Sequence, residues 1–357
     1  MFDAVVEAIR DHGPITFAEF MELALYGPGG YYEQPPVGPA GDFVTSPHVH
    51  PVFGQLLAEA IRELHASLES PKPFELIDVG SGEGTLLRQI LPELDDLPMR
   101  VTAVERSPGA RAALEAIDGI TVVSSLPEAP TGTGVVLAHE LLDNLAFQRF
   151  RGTDEGLRQV CVSIDGDRLV ETLTVPEVPP WPDGAIAIGH ERILPTGARE
   201  FLTRAMRSAG GTPRYLMAID YGSETADAGE VHGYRDHRVV EDVLAHPGRT
   251  DITAGVPFAD LGRQAEADGA HAFPSVSQRA ALTALGFEAW ASAALDRQGD
   301  LLNTGRGGEA VRTWGGRSRA TMLVDPAGLG RFRWFLVATP GLPEPPWLTR
   351  AQREDTH

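Results

Sequence analysis

The chain has one cysteine, Cys161, and one lysine, Lys72, in 357 residues. A single thiol excludes an internal disulfide and any cysteine-based metal cluster, so Cys161 reads as a small buried hydrophobe. No uninterrupted apolar run approaches the ~20 residues of a membrane helix, and no positively charged start precedes an apolar segment. A cytoplasmic protein with no membrane partner is expected. Positive charge is scarce too: 30 Lys and Arg stand against 50 Asp and Glu, a formal charge of −20. That balance disfavours a phosphate backbone as partner, so no nucleic acid is expected, and it welcomes a cationic peptide or basic protein. There is no internal repeat. What the chain does have, 42% hydrophobic residues and five Trp, can bury a large core in one elaborated domain or two closely joined ones.

The pattern along the chain gives three parts. Residues 1–70 read as a helical N-terminal cap, with Thr16 capping a helix that begins at Phe17. Residues 71–345 form the core, where short apolar runs at 74–79, 100–104, 120–123, 135–138 and 215–219 alternate with helical stretches. Such alternation predicts a parallel sheet with helices on both faces, an α/β fold. Runs at 287–291 and 332–338 are expected to close the sheet at seven strands. An inserted hairpin at about 157–175 turns at Asp165-Gly166-Asp167. A second insertion, about 223–275, has helical stretches near 238–245 and 258–267. Residues 346–357 read as a frayed tail.

The most informative stretch is Leu76-Ile77-Asp78-Val79-Gly80-Ser81-Gly82-Glu83-Gly84. An apolar run ends in an acid, and glycines then alternate before a helix, as where a parallel strand turns around a nucleotide-like ligand. Glu105 closes the next strand, where a carboxylate can accept from two ribose hydroxyls. A dinucleotide would also produce this pattern, and so would a plain tight turn. Nothing basic lies in Gly80 to Gly84, however, and Asp78 and Glu83 would repel a pyrophosphate. They tolerate the sulfonium of S-adenosylmethionine.

Further motifs converge on one family. Gly13-Pro14-Ile15-Thr16-Phe17-Ala18-Glu19-Phe20-Met21, Gly30-Tyr31-Tyr32, Gly41-Asp42-Phe43-Val44-Thr45-Ser46-Pro47 and Phe53-Gly54 are followed by His139-Glu140-Leu141-Leu142-Asp143-Asn144-Leu145 and Ile219-Asp220-Tyr221-Gly222. Gly233-Tyr234-Arg235-Asp236-His237, Pro247-Gly248, Asp251-Ile252-Thr253 and Ser277-Gln278 extend the set. Over roughly residues 13 to 339 the chain resembles the methyltransferase family that contains the mitochondrial complex I assembly arginine methyltransferase and its bacterial relatives. The resemblance implies a Rossmann-like, seven-stranded class I methyltransferase sheet, S-adenosyl-L-methionine as cofactor, and an arginine or other nitrogen of a protein or peptide as acceptor. The chain departs from the family pattern at His48 and His50, at His139 and at Pro257. These departures keep two alternatives open, a small-molecule N- or O-methyltransferase and a noncatalytic cofactor-binding assembly protein; a homodimer is also allowed.

On this reading Gly80, Ser81, Gly82 and Gly84 bring backbone to the cofactor, Asp78 orients the loop or meets the cofactor amino group, Glu105 takes the ribose, and Ser125 or Ser124 the adenine edge. Glu140 and Asp143 follow the fourth strand and are the acceptor-site carboxylates, since a carboxylate can hold a guanidinium bidentately. His139 is read as a base, as a group orienting Glu140, or as a packed, hydrogen-bonded histidine. Asp42, Ser46, His48 and His50 belong to a closing cap, the two histidines side by side on an extended strand. Two histidines without a third ligand do not make a metal site, and no metal is expected. Tyr31 and Tyr32 wall the acceptor channel, with Asp220 and Tyr221 at its opening.

Overall fold

The computed structural model describes residues 2–33, 45–127, 132–178, 180–181, 186–224, 231–235 and 238–355. Its main sheet runs in space as Ile120–Val123, Met99–Val104, Phe74–Val79, Gly134–His139, Arg214–Asp220 and Arg333–Ala338. Two short strands, His271–Ala272 and Val276–Ser277, share the far side of Arg333–Ala338. The first five are parallel and Arg333–Ala338 is antiparallel to its neighbours. Strand order reverses between Phe74–Val79 and Gly134–His139: the chain first steps outward through Met99–Val104, then returns to the other side. A crevice opens at the carboxyl ends of strands that part in this way.

All six residues of Phe74–Val79 and all seven of Arg214–Asp220 are buried, which explains their continuous rather than alternating apolar character. The pleat sends successive side chains to opposite faces. Leu76, Leu137 and Met217 enter one core with the helices Val52–Ser67, Thr85–Ile90, Gln278–Ala284 and Pro346–Asp355. Ile77, Val136 and Leu216 enter a second core with Thr196–Arg207 and Phe258–Ala267.

The expected cap divides between two cores. Helix Phe2–His12 and the helix Phe17–Met21 pack on a second, antiparallel sheet through Phe147, Val162 and Ile193. Thr16 opens the second of these helices with a capping box: its hydroxyl accepts the Glu19 amide at 3.2 Å while Glu19 Oε2 accepts the Thr16 amide at 2.7 Å. Helix Val52–Ser67 belongs instead to the main core, with Phe53, Leu57 and Ile61 fully buried. The second sheet orders Ile15–Thr16, Gly156–Asp165, Gln148–Thr153 and Glu191–Leu194, and Arg168–Thr174 completes the expected hairpin on Gly156–Asp165.

Three expectations are corrected. Residues 287–291 are not a strand but the start of helix Phe287–Asn303, because Gly286 at φ 105° turns the chain into it and Phe287 and Trp290 fall on one helical face, ring centroids 5.6 Å apart. A short apolar run fits either element, and the sheet edge is supplied by the strands near 271–277. Residues 238–245 are not helical: Arg238–Val240 pairs antiparallel with His232–Arg235, where its adjacent Val239 and Val240 suit a strand. The expected frayed tail forms helix Pro346–Asp355, anchored by the fully buried Trp347 against Trp334 at 5.6 Å. No described helix is long and apolar enough to cross a membrane.

Candidate functional site

A cavity of about 790 Å³ opens at the strand-order reversal. One end is built by the glycine turn. Gly82 lies at φ 53°, and a Cβ there would project into open space rather than against protein atoms. Its amide donates to Glu105 Oε2 at 2.8 Å, while Glu105 Oε1 accepts the Ser107 amide at 2.8 Å. One carboxylate therefore ties the turns after the first and second strands together and still faces the cavity. Asp78 is 2% exposed, and its Oδ2 has no hydrogen-bond partner among the described residues. Burial pushes its pKa up to about 7; the Ser81 hydroxyl opposes the rise and the Glu105 charge adds to it. Ser81, Ser124 and Ser125 line the same end.

The adjoining side is built on the turn after Gly134–His139, the strand next to Phe74–Val79, and Leu141 lies close enough that a Cβ on Gly80 would come within 3.1 Å of it. Glu140 takes φ 51°, a left-handed conformation unusual for a side chain with a Cβ, and its amide donates to Ile219 O at 2.8 Å. This bend directs its carboxyl to the cavity wall, where Oε1 accepts the Ser46 amide at 3.1 Å. Burial raises the Glu140 pKa to about 8, the Ser46 amide offsetting part of the rise and Asp143 adding to it. Asp143 accepts the Thr253 hydroxyl at 2.7 Å, while its Oδ1 is buried without a hydrogen-bond partner among the described residues. Burial raises the Asp143 pKa as well.

His139 is packed 5.1 Å from the Phe53 ring, and burial, with the His48 charge, lowers its pKa to about 3. Its Nε2 lies 3.3 Å from Glu140 Oε1 but without hydrogen-bond geometry, and a neutral ring makes no ion pair. Its side chain lines the cavity beside Glu140, and burial disfavours its protonated form.

Other expected residues separate. Tyr32, His48 and Tyr221 line the cavity. Tyr31 does not; it is buried edge-on to Tyr32, ring centroids 5.1 Å apart. Ser46 is fully buried behind Glu140 and reaches it through its backbone. His48 and His50 are not side by side on a strand, because Ser46–Val49 is a helical turn. That turn places His48 between Thr45 and Thr85, at 2.7 and 3.3 Å, whereas His50 packs on Trp290, ring centroids 4.9 Å apart. Asp220 is 0% exposed and off the wall: Oδ2 accepts the amides of Leu141, Leu142 and Asp143, and Oδ1 that of Tyr221 at 2.8 Å. It holds the acceptor-side turn rather than substrate. Asp42 lies outside the described residues, as does His237. Among the described residues no group of three or more His, Cys, Asp or Glu side chains is placed to hold a metal.

Several wall residues escaped the sequence reading. Asp251 is buried and accepts Tyr32 Oη at 2.9 Å and Asn144 Nδ2 at 3.3 Å; Tyr26 stacks on Tyr32 at 5.3 Å and carries the Arg106 guanidinium at 4.2 Å on its ring. The Asp251-Ile252-Thr253 and Asp143-Asn144 motifs were the available signal, since polar residues beside apolar ones mark an inward-facing polar wall. Among the described residues eight carboxyl side chains line the cavity, Glu22, Asp78, Glu83, Glu105, Glu140, Asp143, Glu200 and Asp251, against three arginines. Such a wall suits cationic ligands and disfavours a pyrophosphate. The unpartnered Asp78 Oδ2 and the open space at Gly82 fit a ligand with an ammonium group and a sulfonium.

The same assignment follows from comparison with known proteins. A family model for S-adenosyl-L-methionine-dependent methyltransferases matches residues 56–276. The mouse mitochondrial protein arginine methyltransferase NDUFAF7 is 30% identical over 92% of this chain and 82% of its own length. The Drosophila melanogaster homologue is 27% identical over 94% and 83%. A superfamily member from Burkholderia thailandensis, solved with S-adenosyl-homocysteine bound, superposes with a TM-score of 0.81 at 22% identity, covering 96% of this chain and 92% of that one. The mitochondrial relatives overturn the cytoplasmic expectation. Net charge and the lack of long apolar runs bear on solubility and on membrane crossing, and neither specifies a compartment.

Proposed function

Because the chain belongs to the family of S-adenosyl-L-methionine-dependent methyltransferases, we propose that its acceptor is a guanidinium nitrogen of an arginine in a protein or peptide. The enzyme class and cofactor are those of the family. When bound, S-adenosyl-L-methionine supplies an activated methyl group. Asp78, with its unpartnered oxygen, suits the ammonium group; Glu105 suits the ribose hydroxyls, Gly80, Ser81 and Gly82 line the cavity where backbone access is needed, Gly84 completes their turn, and Ser125, also on the wall, suits the adenine edge.

The observation that carries the acceptor reading is Glu140: a carboxyl turned into the cavity by a left-handed backbone, held by the Ser46 amide, with Asp143 close enough to raise its pKa. A guanidinium entering this end meets two carboxyls, ionises them and is oriented by charge-assisted hydrogen bonds. Orientation matters because the guanidinium lone pairs are delocalised, and a fixed nitrogen presents one of them in line for transfer. The methylated group then has a proton to lose. A carboxyl whose pKa stands near neutrality in this cavity can hold that proton before it reaches solvent. The protein relatives named as arginine methyltransferases support the same acceptor.

The test is transfer from isotopically methyl-labelled cofactor to a cell extract, followed by intact-mass and small-molecule analysis. Label on protein arginine is expected; label recovered only in a low-mass product overturns the reading.

A further inference from the structure

We propose that the acceptor arginine lies beside an acidic residue in its own chain, and that Arg331 at the cavity mouth reads that residue. The inference rests on arginine being the acceptor. Arg331 and Tyr221 both line the cavity, and the guanidinium lies over the Tyr221 ring, 4.7 Å from its centroid. Arg106, another arginine of the wall, faces Glu22 at 3.4 Å, whereas Arg331 is exposed and makes no side-chain ion pair or hydrogen bond among the described residues. Its position is fixed. Leu329–Arg331 is a single 3₁₀ turn closed by the Phe332 amide on Leu329 O at 3.0 Å, and Phe332 packs 6.1 Å from Tyr221. The contact with the ring holds the guanidinium at the wall, where its donors are available to a carboxylate, which a planar fork can take bidentately.

The mouth is joined to the acceptor end through the backbone. Tyr221 follows Asp220, whose carboxyl holds the turn bearing Asp143. Glu140, Tyr221 and Arg331 line the same cavity, and the proposal lays the flank of a peptide whose arginine meets Glu140 over Tyr221 and Arg331. The charge pattern gives this contact a purpose. Eight carboxyls inside the cavity and a formal charge of −20 attract any cation, polybasic segments included. A fixed guanidinium at the mouth repels a second cation and attracts a carboxylate, so selection works by both attraction and repulsion.

The experiment uses the full chain saturated with S-adenosyl-homocysteine and fluorescent peptides carrying one arginine, with Glu, Gln or Lys moved through the flanking positions. At one register the Glu peptide is expected to bind about fivefold tighter than the Gln peptide, a modest ratio because the contact is exposed, and the Lys peptide more weakly still. The ratio should shrink with added salt, vanish in Arg331→Gln and reverse in Arg331→Glu. Equal affinities at every position, no binding by any peptide, or a Glu preference unchanged in Arg331→Glu each overturn the proposal. Transfer of label to the same peptides separates the two readings. Arginine labelled without flank preference removes the role of Arg331 and leaves the acceptor in place; a preference that runs through Arg331 with label on a different residue removes arginine as acceptor.

Discussion

Asp220 Oδ2 accepts the backbone N–H of Leu142 at 2.7 Å, and the same oxygen takes the amides of Leu141 at 3.0 Å and Asp143 at 3.4 Å. The end of one strand thus fixes the turn that follows its neighbour, and that turn carries Glu140 and Asp143. The carboxyl is fully buried, and its pKa is raised by burial and by the nearby Asp143. Its work is done through backbone amides that would otherwise be buried without partners.

Replacing Asp220 by Ala should lower unfolding free energy by about 2–4 kcal/mol, because several buried N–H groups lose their acceptor. Urea denaturation measures this. Asp220→Asn, which keeps one side-chain oxygen, should lose less. Equal stability of the Ala variant and the parent would remove the assigned role.

Glu140→Gln should leave the affinity for S-adenosyl-homocysteine within about twofold, since Asp78 and Glu105 rather than Glu140 are assigned to the cofactor, while turnover falls by roughly a hundredfold or more. Calorimetric binding and label transfer, measured on one preparation, separate the two effects. Unchanged turnover sinks the assignment.

The pH dependence follows from the same carboxyl. Folding raises the Glu140 pKa from an ordinary 4.5 to about 8, so its contribution to stability is complete below pH 4.5 and is lost as pH rises through 8. Asp78, raised from 3.8 to about 7, acts in the same direction. The unliganded protein should therefore show a Tm that falls from pH 6 to 9 by more in the parent than in Glu140→Gln. Since a guanidinium binds the ionised carboxyl, kcat/KM for the acceptor should rise with pH toward a plateau above about 8. A flat profile between pH 6 and 9 would contradict the protonated resting state.

Gly82→Ala should cost about 1 kcal/mol of stability, the strain of a Cβ at φ 53°, yet reduce cofactor affinity by tenfold or more, because Gly82 lines the cavity and its turn is assigned to the cofactor backbone contact. Thermal unfolding and cofactor titration read the two numbers independently. A loss of stability with full affinity retained would place the ligand elsewhere.

The glycine turn, Glu105 and the alternation of buried strands were legible in the sequence because each is local: a strand of period two, a tight turn and a helix start occupy consecutive residues. The His139–Leu145 motif was legible for the same reason, although the roles within it were not. His139 read equally as a base or as a packed ring, and only the fold shows it buried beside Phe53 on the cavity wall, while Asp220 looked like a substrate residue until its oxygens proved to be filled by amides. The run at 287–291 was misread as a strand because five apolar-rich residues fit either period, and only its packing face decides between them.

The sequence alone determined the family, the cofactor class and an acid-rich chain suited to cationic ligands, since these depend on residue types at fixed short spacings. Tertiary structure alone decided which acids face the cavity and which hold the backbone, and that His48 faces the site while His50 turns away to Trp290. It also decided that Asp251, which is 107 residues from Asn144, meets it on the same wall. The physical reason is that charge state and contact depend on burial and on neighbours distant in the chain, and both exist only once the sheet has brought its carboxyl ends together.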